Sequence, residues 1–218
     1  MNTDDTEYEY VETSLVDYGH FGKSTDQIVY SQNFVELDDL KYIQEFVTHI
    51  DKWENGMDDT FNDDGDCIYQ KHYWWDRVCS GPIIKELDTV AYEIVEKYVH
   101  KMALVIEEMY NVVVHERPPV LVRWLPGNKQ EPHADKQLND GRPNPFPLYD
   151  INSIIYWNED FQGGEFYYPE FNLEYKIKSG MAVAHPGDVN YLHGVKEIVS
   201  GVRWTTPSFY TITQIKER

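Results

Sequence analysis

From residue 111 onward the chain is a series of short runs rich in β-branched and aromatic residues, and this pattern limits the fold more than any other feature. The runs are NVVVHE, PVLVRW, INSIIYWN, GEFYY, LEYKIK, MAVAH and RWTTPSFYTI, with Pro, Gly, Asn and Asp between them. Short strands separated by turn residues at such intervals are typical of a β-sandwich or a barrel. The second half of the chain is therefore predicted to be built from strands.

Two stretches before residue 111 have helical periodicity instead. Residues 37–53 place Leu40, Ile43 and Val47 on one face, and residues 82–110 carry the longest pattern of this kind. When helices come first and strands follow, the fold class is usually α+β, with helices bracing an antiparallel sheet. We therefore expect an α+β fold with both helices packed on one sheet.

The length favours a single domain, because 218 residues can form one sizeable core but hardly two. Within this domain, 1–218, three parts differ in composition. Residues 1–25 are acidic and lack periodicity, so a loose arm or an edge strand is predicted there. Residues 26–110 are predicted to be a mainly helical support, and residues 111–213 the β-rich core.

The charge of the chain is strongly negative, with 38 acidic against 19 basic residues and a net charge of −19. A negative field repels phosphates and anionic lipids, so neither nucleic acid nor a membrane is expected as a partner. Two cysteines do not make a disulfide framework, and the first residues lack the features of a signal peptide. We therefore expect a cytoplasmic protein; its oligomeric state stays open.

Three residues of the predicted β-rich core form a candidate metal site. On an extended segment, the side chains of His133 and Asp135 point to the same side of the strand. His193, brought in from another strand, would complete a set of two imidazoles and one carboxylate, which suits Fe(II) and leaves coordination positions open. His185 is a rival third ligand, but the Pro-Gly-Asp at 186–188 predicts a turn, so we expect a rim or turn histidine.

The segments around these candidates match, in order, the motifs of a known family. VLVRWLPGNKQEPHAD ends in Pro-His-x-Asp, INSIIYWNEDFQGGEFYY contains Tyr-x-Asn and Gly-Gly-Glu, and IKSGMAVAH precedes HGVKEIVSGVRW, with its His-x-Val and Gly-x-Arg-aromatic. Over about residues 119–213 the chain resembles the prolyl 4-hydroxylase-like group of Fe(II)- and 2-oxoglutarate-dependent oxygenases. The resemblance implies that 111–213 is a catalytic double-stranded β-helix, also called a jelly-roll.

The resemblance also implies a role for each matching residue. His133, Asp135 and His193 would bind Fe(II). Arg203, ten residues after His193, would pair with the far carboxylate of 2-oxoglutarate. A guanidinium group suits this task because it can bind a carboxylate with two parallel hydrogen bonds.

The resemblance implies roles for further residues, and most of these residues also have an alternative interpretation. Tyr156 matches a tyrosine that reaches the same carboxylate, although it could equally be a core aromatic residue. Trp124 stands where the family usually has Tyr, and an indole N–H donates but cannot accept, so packing beside the cosubstrate is the alternative to binding it. Gly163 and Gly164 are expected in a tight turn, and residues 136–150 are either a lid at the mouth of the site or a surface connection.

The implied activity is that of a dioxygenase that consumes O₂ and 2-oxoglutarate, with ascorbate as an optional reductant, and hydroxylates an unactivated C–H bond. A prolyl residue of a peptide or protein is the first expectation for the substrate, and a free amino acid or small metabolite is left open. The alternatives are a non-catalytic jelly-roll binding module and a cupin-type metal enzyme without 2-oxoglutarate. The intact ligand set argues against the first, and Arg203 argues against the second.

Overall fold

The computed structural model describes residues 14–53, 58–61, 65, 67–69 and 71–216, so most of the predicted acidic arm lies outside the described residues. The helices are α1 (Leu37–His49), α2 (Lys71–Trp74), α3 (Gly81–Leu87) and α4 (Thr89–Tyr110), with 3₁₀ helices at Thr25–Gln27, Pro169–Phe171 and Val189–Tyr191. No helix in this described part has both the length and the apolar character needed to cross a membrane.

The strands, most of them short, complete the list of elements. They are β1 (Val29–Ser31), β2 (Thr60–Phe61), β3 (Cys67–Tyr69), β4 (Val78–Ser80), β5 (Val112–Glu116), β6 (Val120–Trp124), β7 (Gln130–His133), β8 (Ile151–Tyr156), β9 (Gln162–Gly163), β10 (Phe166–Tyr168), β11 (Leu173–Tyr175), β12 (Ala182–Pro186), β13 (His193–Val195), β14 (Ile198–Ser200) and β15 (Arg203–Ile215). Each of the seven runs predicted after residue 111 contains a strand.

The first predicted helix forms where expected but is shorter than 37–53. Leu40, Ile43 and Val47 are buried along one face of α1, which confirms the predicted periodicity. The helix ends at His49 because Ile50 has extended backbone angles, with φ −69° and ψ 118°. The apolar residues beyond that point pack on the core without continuing the helix.

The second predicted helix, 82–110, is wrong in one respect: it is two helices, α3 and α4, with a break at Asp88. Asp88 has φ −159°, and its side chain accepts a hydrogen bond of 3.0 Å from the backbone N–H of Ala91. Aspartate is among the residues preferred at this capping position, since its carboxylate satisfies a free N–H of the first turn. A new helix therefore starts after Asp88.

Two antiparallel sheets form the β-rich core. The larger has the strand order β1-β12-β8-β15-β6-β4, and β5 pairs with another part of the long strand β15. The smaller has the order β11-β10-β13-β7. Together with the helices, these sheets confirm the predicted α+β class.

The larger sheet has two distinct faces because side chains alternate along each strand. On one face, Ile155 of β8 and Ala182 of β12 join the large core that includes the buried residues of α1 and α4. On the other, Tyr156 and Val183 join a second cluster, together with Phe166 of the smaller sheet. The helices thus brace one face, and the opposite face packs toward the smaller sheet. We call the interior between the two sheets the inner chamber.

Candidate metal centre

The proposed ligands come together at the edge where β7 and β13 pair. His133 ends β7, His193 begins β13, and the two lie directly opposite each other in the antiparallel register. Their rings are 4.4 Å apart between centroids. Asp135 follows β7 and is held there by its backbone N–H, which donates to the carbonyl of Gly187 at 3.1 Å. Pairing of two strands therefore brings together residues that are sixty positions apart.

The ligand atoms are close enough for a single ion. Asp135 Oδ1 lies 3.5 Å from His133 Nε2, and Asp135 Oδ2 lies 3.4 Å from His193 Nε2. Among the described residues, these three are the group of potential ligands whose atoms all lie within 4.8 Å of one another. Donor atoms about 2.1 Å from one ion and at right angles to each other are about 3 Å apart, so only small shifts would be required.

Backbone carbonyls orient both imidazoles toward the centre. His133 Nδ1 lies 3.0 Å from the carbonyl oxygen of Glu131, and His193 Nδ1 lies 3.0 Å from that of Tyr191. A carbonyl oxygen can only accept, so each Nδ1 carries the hydrogen, and in the neutral ring each Nε2 carries a lone pair. Metal-binding histidines are usually held in this way by their second nitrogen.

Charge and burial oppose each other at the three residues. Burial would raise the pKa of Asp135, but His193 and His133 beside it hold that pKa well below its ordinary value. Burial would lower the pKa of His133, yet the hydrogen bond and charge of Asp135 keep it above the ordinary value. At His193 burial dominates, and the pKa falls well below the ordinary value. The centre thus combines an ionised carboxylate with an imidazole, that of His193, held neutral.

Asn152, which the sequence analysis did not single out, holds the carboxylate from the larger sheet. Its Nδ2 donates a hydrogen bond of 2.5 Å to Asp135 Oδ2, and the residue is 3% exposed. The sequence offers one indication of this role. Asn152 is a polar residue within the apolar strand INSIIY, and it lies four positions before Tyr156 and therefore on the same face.

Arg203 is buried in the inner chamber without an ion-pair partner among the described residues. It is 1% exposed, and its Nε and Nη1 have no hydrogen-bond partner there. The guanidinium carbon lies 5.0 Å from the ring centres of both Tyr156 and Trp124. Burial lowers the pKa of Arg203, whereas the neighbouring Tyr156 raises it. Because burying an unpaired charge is costly, this group calls for an anionic ligand.

Tyr156 and Trp124 both lie beside Arg203, but their polar atoms differ. The hydroxyl of Tyr156 is buried without a hydrogen-bond partner among the described residues. The indole N–H of Trp124 instead donates to Thr205 Oγ1 at 3.3 Å. Trp124 thus presents its ring to the guanidinium group, which fits the alternative of packing beside the cosubstrate. Whether either residue contacts a cosubstrate stays a prediction.

Gly164 allows the chain to pass close to Arg203. It has φ +70°, and an added Cβ would lie 2.4 Å from Ile198 Cδ1 and 3.3 Å from Arg203 Cδ. At Gly163, with φ +76°, an added Cβ would lie 2.0 Å from the carbonyl oxygen of Glu197. Close backbone approach is therefore confirmed at both glycines, whereas the tight turn stays a prediction, since Gly163 belongs to β9.

The expectation that His185 is a rim or turn histidine is wrong. It belongs to β12, is 1% exposed, and its ring lies 4.4 Å from that of His193. The turn predicted from Pro186 starts later, because β12 includes that proline. Burial lowers the pKa of His185, and its Nε2 has no hydrogen-bond partner among the described residues.

The loop at 136–150 is tied down at its base. Lys136 Nζ donates to Asp150 Oδ1 at 2.5 Å and to the carbonyl oxygen of Val16 at 3.0 Å, and both charged groups are buried. Asp150 Oδ1 also accepts a hydrogen bond of 2.6 Å from Ser14 Oγ. Both ends of the loop and the described start of the arm are therefore linked next to Asp135. A lid role for the loop stays a prediction.

Solved structures share this arrangement of elements. A truncated viral collagen prolyl hydroxylase from Paramecium bursaria Chlorella virus-1 has a TM-score of 0.59 at 14% identity, covering 93% of this chain and 97% of its own. A Trichoplax adhaerens prolyl hydroxylase, solved with a hypoxia inducible factor peptide, has a TM-score of 0.58 at 15% identity, with 86% and 84% covered. The fold is that of the prolyl hydroxylases. The predicted jelly-roll is thereby confirmed.

Curated proteins that are similar in sequence over part of the chain are also prolyl hydroxylases. Human prolyl 3-hydroxylase 2 is 30% identical over 92 residues, and chicken prolyl 3-hydroxylase 1 is 28% identical over 97. These matches cover 37% and 39% of this chain but only 13% of each relative's length. No protein-family model matches the sequence. The resemblance to prolyl hydroxylases is thus confirmed, while activity and substrate have to be argued from the site.

Proposed function

We propose that this chain is an Fe(II)- and 2-oxoglutarate-dependent dioxygenase that hydroxylates an unactivated C–H bond. One observation carries the proposal: a two-histidine, one-carboxylate group and a buried arginine without an ion-pair partner among the described residues are linked by one aromatic cluster. Phe166 contacts the ring of His193 and belongs to the same cluster as the two rings, of Trp124 and Tyr156, that lie beside Arg203. The first group suits Fe(II) and leaves coordination positions open. The second suits the far carboxylate of a dicarboxylic acid.

His133, Asp135 and His193 would hold the iron. Their donor atoms are preset, since carbonyl oxygens fix both imidazole tautomers and Asn152 fixes one carboxylate oxygen. His133 has a side chain 26% exposed, whereas that of His193 is 6% exposed, so the centre is open to solvent on the His133 side. A substrate would approach from that side. The bound iron would supply the activation of O₂ that a protein side chain cannot provide.

Arg203 and Tyr156 would bind 2-oxoglutarate at its far end. The guanidinium Nε and Nη1 and the phenol hydroxyl lack partners among the described residues, so donors are available for one carboxylate. Trp124, with its N–H committed to Thr205, would form an apolar wall and exclude water. This arrangement would place the 2-oxoacid end toward the metal centre.

A prolyl residue of a peptide or protein is the substrate we propose. Two kinds of similar protein support this proposal. The relatives in sequence are prolyl 3-hydroxylases, and the structural neighbours include a prolyl hydroxylase solved with a peptide. A free amino acid or small metabolite is the alternative substrate class. We also propose a cytoplasmic location, for which the support is the sequence composition alone.

The test is succinate formation from 2-oxoglutarate by the purified chain with Fe(II), ascorbate and O₂, with and without proline-containing peptides. We expect turnover that increases with at least one peptide and a mass gain of one oxygen atom on that peptide. Turnover stimulated only by free amino acids would redirect the substrate proposal. Absence of turnover together with absence of metal binding would reject the enzyme and favour the binding module.

A further inference from the structure

Two buried polar residues face each other next to the proposed metal ligands. Asn152 of β8 and His185 of β12 are directly opposite in the antiparallel register and are 3% and 1% exposed. Both point to the inner chamber, since Asn152 contacts Asp135 and the ring of His185 lies beside that of His193. Side chains directly opposite in this way have Cβ atoms about 5 Å apart.

The orientation of the Asn152 amide follows from its partner. Its Nδ2 lies 2.5 Å from Asp135 Oδ2, and an ionised carboxylate can only accept, so the amide nitrogen must face Asp135. The amide oxygen therefore points elsewhere. Asn152 Oδ1 is buried and has no hydrogen-bond partner among the described residues.

The tautomer of His185 follows in the same way. Its Nδ1 lies 2.9 Å from the carbonyl oxygen of Pro186, which can only accept, so Nδ1 carries the hydrogen. In the neutral ring, Nε2 then carries a lone pair. His185 Nε2 is likewise buried without a hydrogen-bond partner among the described residues. Two hydrogen-bond acceptors thus lie on neighbouring strands, and nothing in the described part of the chain donates to either.

We propose that Asn152 Oδ1 and His185 Nε2 together bind one small group that carries two donor hydrogens. Leaving two buried acceptors unsatisfied is unfavourable, and buried polar atoms are almost always paired with protein or with ordered water. A water molecule has this donor chemistry, and buried waters usually have two to four polar partners. The primary amino group of a substrate has the same donor chemistry. The site exists whether or not the proposed function holds, but its effect on metal binding depends on that function.

This acceptor pair makes one part of the inner chamber rich in hydrogen-bond acceptors, whereas Arg203 and Tyr156 make another part rich in donors. Carboxylates are repelled by Asn152 Oδ1 and His185 Nε2, because neither atom can donate, whereas Arg203 and Tyr156 offer donors that lack partners. A carboxylate is therefore favoured beside Arg203 and disfavoured beside the acceptor pair. The bound donor also keeps the amide of Asn152 turned toward Asp135, so Asn152 and His185 are positioning residues for that ligand.

The first part of the test is a crystal structure of the full chain with Co(II) as a stable substitute for Fe(II), alone and with a proline-containing peptide. We expect electron density within hydrogen-bond distance of both Asn152 Oδ1 and His185 Nε2. Density in both crystals identifies water, and density only with the peptide identifies a substrate group. Absence of density in both crystals would overturn the inference, even if Co(II) is bound at His133, Asp135 and His193.

The second part measures Co(II) affinity by calorimetry for Asn152→Leu, His185→Phe and the double variant. Ser153→Ala is the matched control, because Ser153 is buried on the same strand but bonds to Tyr210 on the other face. Asn152→Leu should weaken Co(II) binding about tenfold, as is usual for residues that orient a ligand. His185→Phe should weaken it about threefold, as expected for one lost hydrogen bond.

The double variant distinguishes a shared occupant from two separate effects. If both residues bind one group, the Co(II) affinity of the double variant should be at most about twofold lower than that of Asn152→Leu. The reason is that effects within one hydrogen-bond network do not add. Effects that multiply, or an unchanged affinity in His185→Phe, would overturn the shared site. Unfolding temperatures of all variants check that they fold. Failure of the unmodified chain to bind Co(II) would instead contradict the proposed function, and the density test would still decide the inference.

Discussion

The two faces of the larger sheet use the same strands for different purposes. On the helix-braced face, Ile155, Ala182 and Ala184 have no exposed surface and pack against the helices. The N–H of Trp157 donates to Thr206 Oγ1, and the hydroxyls of Tyr210 and Ser153 bond to each other. Among the polar atoms that this face buries in the described residues, Ser208 Oγ is left without a partner.

The inner face, one residue further along the same strands, is different. Tyr156, Asn152, His185 and Arg203 are all buried there, and each has at least one polar atom without a partner among the described residues. Unsatisfied buried groups are costly and rare, so a cluster of them on one face indicates ligands. The helix-braced face therefore stabilises the fold, while the inner face is preorganised for binding.

The largest expected effect is at Asp135, whose carboxylate is bound by Asn152 of the inner face. In Asp135→Ala, turnover of 2-oxoglutarate should be abolished and Co(II) affinity should fall by more than about 100-fold, beyond the range for residues that only orient a ligand. Calorimetry and succinate formation measure the two effects. The metal-free chain should stay folded but lose some stability, because the buried Nδ2 of Asn152 loses its acceptor; the unfolding temperature measures this loss. Retained turnover would remove Asp135 from the ligand set.

The next largest effect is on the helix-braced face. Ile155→Ala should lower the free energy of unfolding by about 3 kcal/mol, because it leaves a cavity at a fully buried position. Urea denaturation measures this change. At a temperature where the variant is folded, its Co(II) affinity should equal that of the unmodified chain. A loss of Co(II) affinity as large as the effect of Asn152→Leu would show that the two faces are not independent.

A smaller effect is expected at Arg203. Arg203→Ala should weaken binding of 2-oxoglutarate by about 2 kcal/mol, roughly 30-fold, as expected when one partner of a buried charge pair is removed. Co(II) affinity should stay within about twofold in the same calorimetric experiment. Arg123→Ala is the matched control, since Arg123 precedes Trp124 in β6 and its guanidinium lies over Trp53, which packs with the helix-braced core. Equal losses for 2-oxoglutarate and metal would contradict the role of Arg203.

The smallest effect is expected at Trp124. Trp124→Phe retains an aromatic ring beside Arg203 and removes the N–H that donates to Thr205, together with part of the indole ring system. The affinity for 2-oxoglutarate should therefore fall by no more than about threefold, the scale of one neutral hydrogen bond. A loss as large as that of Arg203→Ala would mean that the indole N–H binds the cosubstrate directly.

Much of the difference between the two faces of the larger sheet could be predicted from the sequence. The order of the motifs identified His133, Asp135, His193 and Arg203, and alternation along INSIIYWN places Tyr156 on the face opposite Ile155. The roles of Asn152 and His185 could not be predicted, because they depend on strand register and on contacts such as the one between Asn152 and Asp135. Periodicity also missed the break between α3 and α4, which depends on a single capping side chain.

The most direct test of the account is anaerobic calorimetry of 2-oxoglutarate binding to the unmodified chain, with and without Fe(II). With Fe(II), one 2-oxoglutarate should bind per chain, and without Fe(II) the binding should be much weaker. The reason is that the metal centre and Arg203 would bind opposite ends of the same molecule. The same weak binding in both conditions, or Fe(II) binding that does not depend on His133 and His193, would contradict the claim that the inner face is an oxygenase site.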